Sequence, residues 1–149
     1  MSQGFAASVG DWCNDVREAS EAIFQESAQE LVRELDQLIS QLIYSNPATD
    51  RQRTGFLRAS LVASNSAMPA LTRENPGATV AADYGDVLLT INGTELGEPL
   101  FLGYTASYGA FVHYGTSKMA GRPWVTMVAQ RWPEIVARKE AEVRSRFGL

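Results

Sequence analysis

Apolar residues recur at Trp12, Val16, Ala19 and Ile23 and then, after a slip of one residue to Phe24, at Ala28, Leu31, Leu35, Leu38 and Leu42. Steps of three and four put them on one face of an α-helix. The spacing predicts a helix from Asp11 to Ile43, preceded by an arm over residues 1–10. Such a helix, about 30 residues and ~45 Å long, outruns the body of the domain it packs on, so part of its stripe faces another subunit. Asp15, Glu18, Glu21, Glu26, Glu30, Arg33 and Glu34 fill much of the remaining surface and read as a solvated face. Asn46-Pro47 ends the helix, because the residue before a proline is driven out of the helical region.

A chain of 149 residues, 45% hydrophobic and 20% charged, suits one globular domain, residues 1–149 together. The lone Cys13 excludes an intrachain disulfide. No charged-then-apolar leader opens the chain, and no apolar run approaches the ~18 residues that span a bilayer, so the expected site of synthesis is the cytosol, with no membrane partner. The net charge of −4 hides an asymmetry: residues 11–36 carry eight acids against two arginines, residues 131–149 five bases against three acids. The 13 Lys and Arg residues form no cluster of the kind that neutralises phosphates, which argues against tight nucleic-acid binding.

Downstream of the Thr54-Gly55 break, Leu57, Ala59, Leu61 and Ala63 alternate with Arg58, Ser60, Val62 and Ser64, the period of a half-buried strand. Residues 64–77 read as a mobile loop and Ala78–Ala82 as a short strand. Asn92-Gly93-Thr94 lies between two apolar runs, 87–91 and 96–104, and predicts a β-hairpin. The same triplet is a glycosylation sequon, for which the turn is the better reading. Pro99, with no N–H to donate, marks an edge or the end of pairing. A last helix runs from Pro123 to about Arg146, with a kink or break near Trp132 because Pro133 cannot donate to the carbonyl of Ala129. The pattern amounts to an α+β fold: a long N-terminal helix and a C-terminal helix packed on a small, mainly antiparallel sheet of about four strands.

The residues offer little to catalysis. Nucleophilic catalysis needs a base beside the nucleophile, and the sole histidine, His113, reads as a packed or interface residue. No metal-ligand spacing accompanies it, and Gly103, Gly109 and Gly115 form no phosphate loop, so no catalytic, cofactor or metal residue is assigned. Aromatics cluster instead: Tyr104, Tyr108, Phe111, Tyr114 and Trp124 fall within 21 residues. Tyr, Trp and Arg dominate protein–protein hot spots. Tyr108, Tyr114, Thr116, Met119, Arg122 and Trp124 are therefore the candidate subunit or partner contacts, with 115–122 as a second mobile loop. Arg122 is expected to meet an acid of a neighbouring copy, such as Glu18, Glu21, Glu26, Glu30 or Glu34.

The motifs Thr54-Gly55-Phe56-Leu57-Arg58-Ala59-Ser60, Tyr108 to Thr116, Met119-Ala120 and Arg122-Pro123-Trp124 stand in an order and spacing that resembles the tail-completion or neck-protein family of long-tailed bacteriophages, over residues 12 to 145. The chain departs from that pattern at His113, where Glu is common, and at Gly121, where Ala often precedes the arginine. The resemblance implies a non-enzymatic virion protein assembled in the host cytoplasm. It would form a ring, six-fold for preference and twelve-fold as the alternative, between the DNA-filled head and the tail. Its partners would be head-closure and tail proteins, with DNA passing through the channel unbound. A tail terminator capping the tail tube is the near alternative, and a small enzyme or ligand-binding domain with a pocket at His113, Tyr114 and Arg122 the alternative from another class.

Overall fold

The computed structural model describes residues 4–44 and 54–149. Helix α1 spans Phe5–Ile39 and closes in a π-helical turn, Ser40–Tyr44. It starts inside the segment expected to be a loose arm, and it runs ~52 Å at the usual rise per residue. Its inner face buries Ala19, Ala28, Val32, Leu35, Leu38 and Ile39, the stripe that the three- and four-residue steps lay out. The expected stop at Asn46-Pro47 lies outside the described residues.

A short helix α2, Phe56–Ala59, leads into strand β1, Leu61–Ser64. The strand expected from Leu57 thus begins four residues late. Phe56 and Leu57 are adjacent and both buried, which a helical turn permits and an alternating strand does not. Strand β2, Phe101–Tyr104, pairs antiparallel with β1 from Leu61 opposite Tyr104 to Ser64 opposite Phe101.

The expected hairpin at Asn92-Gly93 is a helix terminus instead. Helix α3, Gly85–Asn92, buries Val87 and Ile91, four residues apart, and exposes Leu88 and Leu89 between them. The Gly93 N–H closes the last turn on the Leu89 carbonyl at 3.0 Å. A five-residue apolar run cannot separate strand from helix by periodicity, and here burial at i and i+4 decides. Residues 78–82 form no strand; Val80 donates one backbone bond to Thr54 at 2.7 Å.

Helix α4, Gly109–Tyr114, is followed by a minimal hairpin of β3, Gly115–Thr116, and β4, Met119–Ala120. Helix α5, Trp124–Ala129, breaks before α6, Trp132–Phe147, at the expected proline. The strands therefore form two two-stranded antiparallel sheets among the described residues, in place of one sheet of about four.

Helix α1 packs on α6, α5 and α3, and two apolar clusters hold it there. One joins Leu35, Leu38, Ile39 and Ile43 to Phe56, Leu57, Ala106, Trp124 and Val128; the other joins Ala28 and Val32 to Leu61, Val87 and Ile91. Charge follows the same seam. Arg138 meets Glu30 at 3.2 Å and Glu34 at 3.8 Å, Arg131 meets Glu34 at 3.8 Å, and Arg146 pairs with Glu26. The acidic N-terminal and basic C-terminal stretches thus pair within one chain. Glu26, Glu30 and Glu34, expected as partners for a neighbour's Arg122, already have arginines of their own.

Candidate functional site

An open, mainly apolar cleft of about 310 Å³ lies between α1, β2, α4 and α5, lined among others by Leu31, Leu102, Tyr104, Ala110, His113, Tyr114, Trp124, Val125 and Ala129. Its walls come from the segments that carried the sequence motifs. Leu57 of the first motif reaches under Gly109, where a Cβ would lie 3.3 Å from its Cδ1. Thr105, just after β2, donates both its N–H (3.0 Å) and its hydroxyl (2.8 Å) to the Ser60 carbonyl. The Arg122 N–H donates to the Val112 carbonyl at 2.9 Å and so fixes the start of α5 against α4.

Two glycines allow that junction. Gly115 has φ +87°, and a Cβ there would meet the Gly121 nitrogen at 2.5 Å; a Cβ on Gly121 would meet the Tyr114 carbonyl at 2.6 Å. The backbones cross with no room for a side chain, which turns residues 115–121 back on themselves as the β3–β4 hairpin. Both segments expected as mobile loops carry backbone pairing: 115–122 in this hairpin, and 64–77 at Arg73, whose N–H bonds the Thr105 carbonyl at 2.7 Å and whose carbonyl accepts from Ser107 at 2.9 Å.

The six candidate contact residues separate. Trp124 is a core residue, 1% exposed; its indole meets Tyr104 and His113 edge-on at centroid distances of 5.3 and 5.5 Å, so it forms the cleft floor and is not a free contact. Tyr108 is half-buried against Phe56, 6.3 Å between ring centroids. Tyr114 is 80% exposed and Thr116 fully on the surface, while Met119 and Arg122 are half-exposed. Tyr114, Thr116, Met119 and Arg122 gather at the corner where α4, the hairpin and α5 meet. Phe111, not chosen from sequence, joins them as an exposed aromatic on α4.

His113 is buried, and burial lowers its pKa from the ordinary 6.5, keeping the ring neutral at pH 7. The Thr126 backbone N–H points at Nε2 from 3.3 Å. A backbone amide only donates, so Nε2 is the unprotonated nitrogen and Nδ1 carries the proton. That Nδ1 is buried with no partner among the described residues, whereas the buried Trp124 Nε1 and Tyr104 hydroxyl lie close enough to interact with each other. Burial raises the Tyr104 pKa, with the neighbouring Trp124 opposing, so this hydroxyl too keeps its proton. The three side chains line the cleft while their polar atoms stay out of solvent.

An unforeseen polar knot ties α1 to α2 and to the start of α3. Arg58 grips Asp36 with two bonds, Nε to Oδ1 at 2.5 Å and an η-nitrogen to Oδ2 at 2.8 Å, and the Tyr84 hydroxyl donates to the same carboxylate at 2.5 Å. Arg58 first, with Tyr84 behind it, holds the Asp36 carboxyl below its usual range against the cost of burial. Its members are 48 residues apart, beyond the reach of a local pattern. Among the described residues, no group of His, Cys, Asp and Glu is arranged to hold a metal ion, and no helix is long and apolar enough to cross a membrane. Comparison of the chain with protein-family models, with curated proteins and with solved structures finds no match.

Proposed function

We propose that the protein is a structural subunit of a tailed-phage neck, assembling as a ring that completes the tail and joins it to the DNA-filled head. The reading rests on the motif resemblance, and one observation carries it further. Three of the four motifs, Thr54–Ser60, Tyr108–Thr116 and Arg122–Trp124, converge on a single corner. That corner presents exposed Phe111 and Tyr114 beside Arg122. Aromatic side chains beside an arginine, on a rigid backbone crossing, suit a protein contact. The role is one of association, with no chemical step. Six-fold closure is favoured over twelve-fold, and a tail terminator ring is the nearest alternative within the same reading.

The cleft at His113 favours a second reading, a ligand-binding or catalytic pocket. Among the described residues its lining contains no carboxylate, cysteine or serine; the Thr126 hydroxyl lies 3.2 Å from His113 Nε2, but no carboxylate orients the imidazole as a base for it. Electron microscopy of the purified chain at high concentration separates the two. Closed rings with a central channel are expected. A uniform monomer that turns over or tightly binds a metabolite would replace the structural reading with the pocket reading.

A further inference from the structure

The apolar face of α1 does not stop where the body of the protein stops. Phe5, Val9, Trp12, Val16 and Ala19 follow one another at steps of four and three, but only Ala19 is buried and Val16 half-buried; Phe5 is 86% and Trp12 59% exposed. A run of about three turns thus projects with its hydrophobic edge open to water. An apolar helix stripe with no cover among the described residues suits a partner surface.

The same chain holds a site that fits it. The cleft offers apolar walls, with the polar atoms of His113, Trp124 and Tyr104 kept out of solvent. On the hairpin segment between α4 and α5, which crosses the backbone of the cleft residue Tyr114, Lys118 and Arg122 have no acidic partner among the described residues. The projecting turns carry the complement: Trp12 as an apolar knob, with Asp15 one turn on and Glu18 beyond it, two carboxylates likewise without a partner among the described residues. Opposite charges at the rim of an apolar contact fix its register and disfavour wrong pairings.

Geometry excludes the chain's own cleft as the destination. Leu31, on the cleft wall, lies nineteen residues along the same continuous helix from Trp12, a distance of ~28 Å. Charge argues against tip-to-tip pairing, since Asp11, Asp15, Glu18 and Glu21 would face their copies with Arg17 as the single base among residues 4–23. We infer that the projecting end of α1 in one copy docks in the cleft of the next, Trp12 entering between Tyr114 and Val125 and Asp15 and Glu18 facing Lys118 and Arg122. The two surfaces differ, so the contact is head-to-tail and closes into a ring when the rotation allows. This inference builds on the ring reading above and names the contact that would make the ring.

Cys13, the one cysteine, is exposed and neighbours Trp12, which supplies a cross-linking handle without altering the tip. Ala110→Cys, Val125→Cys and Ala129→Cys each put a second thiol on the cleft rim of the full-length chain. On mild oxidation at least one of the three is expected to give a ladder of dimers, trimers and higher species on non-reducing gels. Adding Trp12→Asp or Cys13→Ser should abolish the ladder, with circular dichroism unchanged because Trp12 lies off the core. Absence of a ladder from all three variants would overturn the inference. So would a Cys13–Cys13 dimer as the main product of the unaltered chain, which means tip-to-tip pairing, or a small molecule found by native mass spectrometry in the cleft and blocking the cross-link. Rings that persist with Trp12→Asp would overturn the docking while leaving the ring reading in place.

Discussion

Trp124 joins the two roles that meet in this molecule, since its ring fills the core and also lines the cleft. Truncation to alanine removes a fully buried indole and should cost about 3–5 kcal/mol in chemical denaturation; a loss under ~1 kcal/mol would mean the ring is not the keystone of its cluster. His113 adds a pH signature. Its pKa is lowered on folding by burial from the ordinary 6.5. As pH falls below 6.5 the unfolded chain binds a proton that the folded chain refuses, so stability declines from there down to the folded value. His113→Gln should flatten that slope in urea titrations across the same window, and an unchanged slope would remove His113 as its source. Gly121 and Gly115 are the third residue-scale feature. Either glycine changed to alanine should cost on the order of 1–3 kcal/mol, from the backbone clash at both and from the positive φ at Gly115.

At the level of elements, α1 and α6 share both an apolar seam and a row of ion pairs, and magnitudes say which one holds them. The arginines of those pairs are 44–54% exposed, and pairs of that kind contribute under ~1 kcal/mol each. Ile135→Ala, by contrast, empties a fully buried position and should cost ~2–5 kcal/mol. Thermal melts of Arg138→Ala and Ile135→Ala should therefore differ by several degrees, and equal losses would assign the seam to charge. The Asp36–Arg58–Tyr84 knot acts on pH differently from His113. Because folding depresses the Asp36 pKa below its ordinary 3.8, its stabilisation is complete above that value and lost as pH falls through the folded one.

Long periodic elements were legible in the sequence: α1 over most of its length, and the break between α5 and α6 forced by Pro133. Short ones were not. The run 87–91 fits either period, and only the neighbours that bury Val87 and Ile91 together choose the helix. The Phe56–Ala59 turn hides within an alternating pattern for the same reason. At the site, the aromatic cluster and Arg122 were visible as a group, but the order of burial was not. Trp124 turned inward because it starts α5 against α1, and Tyr114 outward because it closes α4 at the hairpin. The first turns of the projecting tip, Phe5 to Gly10, were read as an arm because the apolar pattern was followed only from Trp12 onward.

For the molecule as a whole, the proposed function makes association the activity, so the telling variants change assembly and spare the fold. Arg122 is half-exposed with no acidic partner among the described residues, and its backbone N–H, not its side chain, ties it to Val112. Arg122→Ala should leave the melting temperature nearly unchanged, while a buried charge pair lost at a subunit contact weakens assembly by ~2–5 kcal/mol. The most direct measurement is native mass across a concentration series of the unaltered chain, with Arg122→Ala alongside. The account predicts one discrete closed species of six or twelve 16.3 kDa subunits, displaced toward monomer by the substitution at equal fold stability. A single monomeric mass at every concentration, the same for both chains, would contradict it.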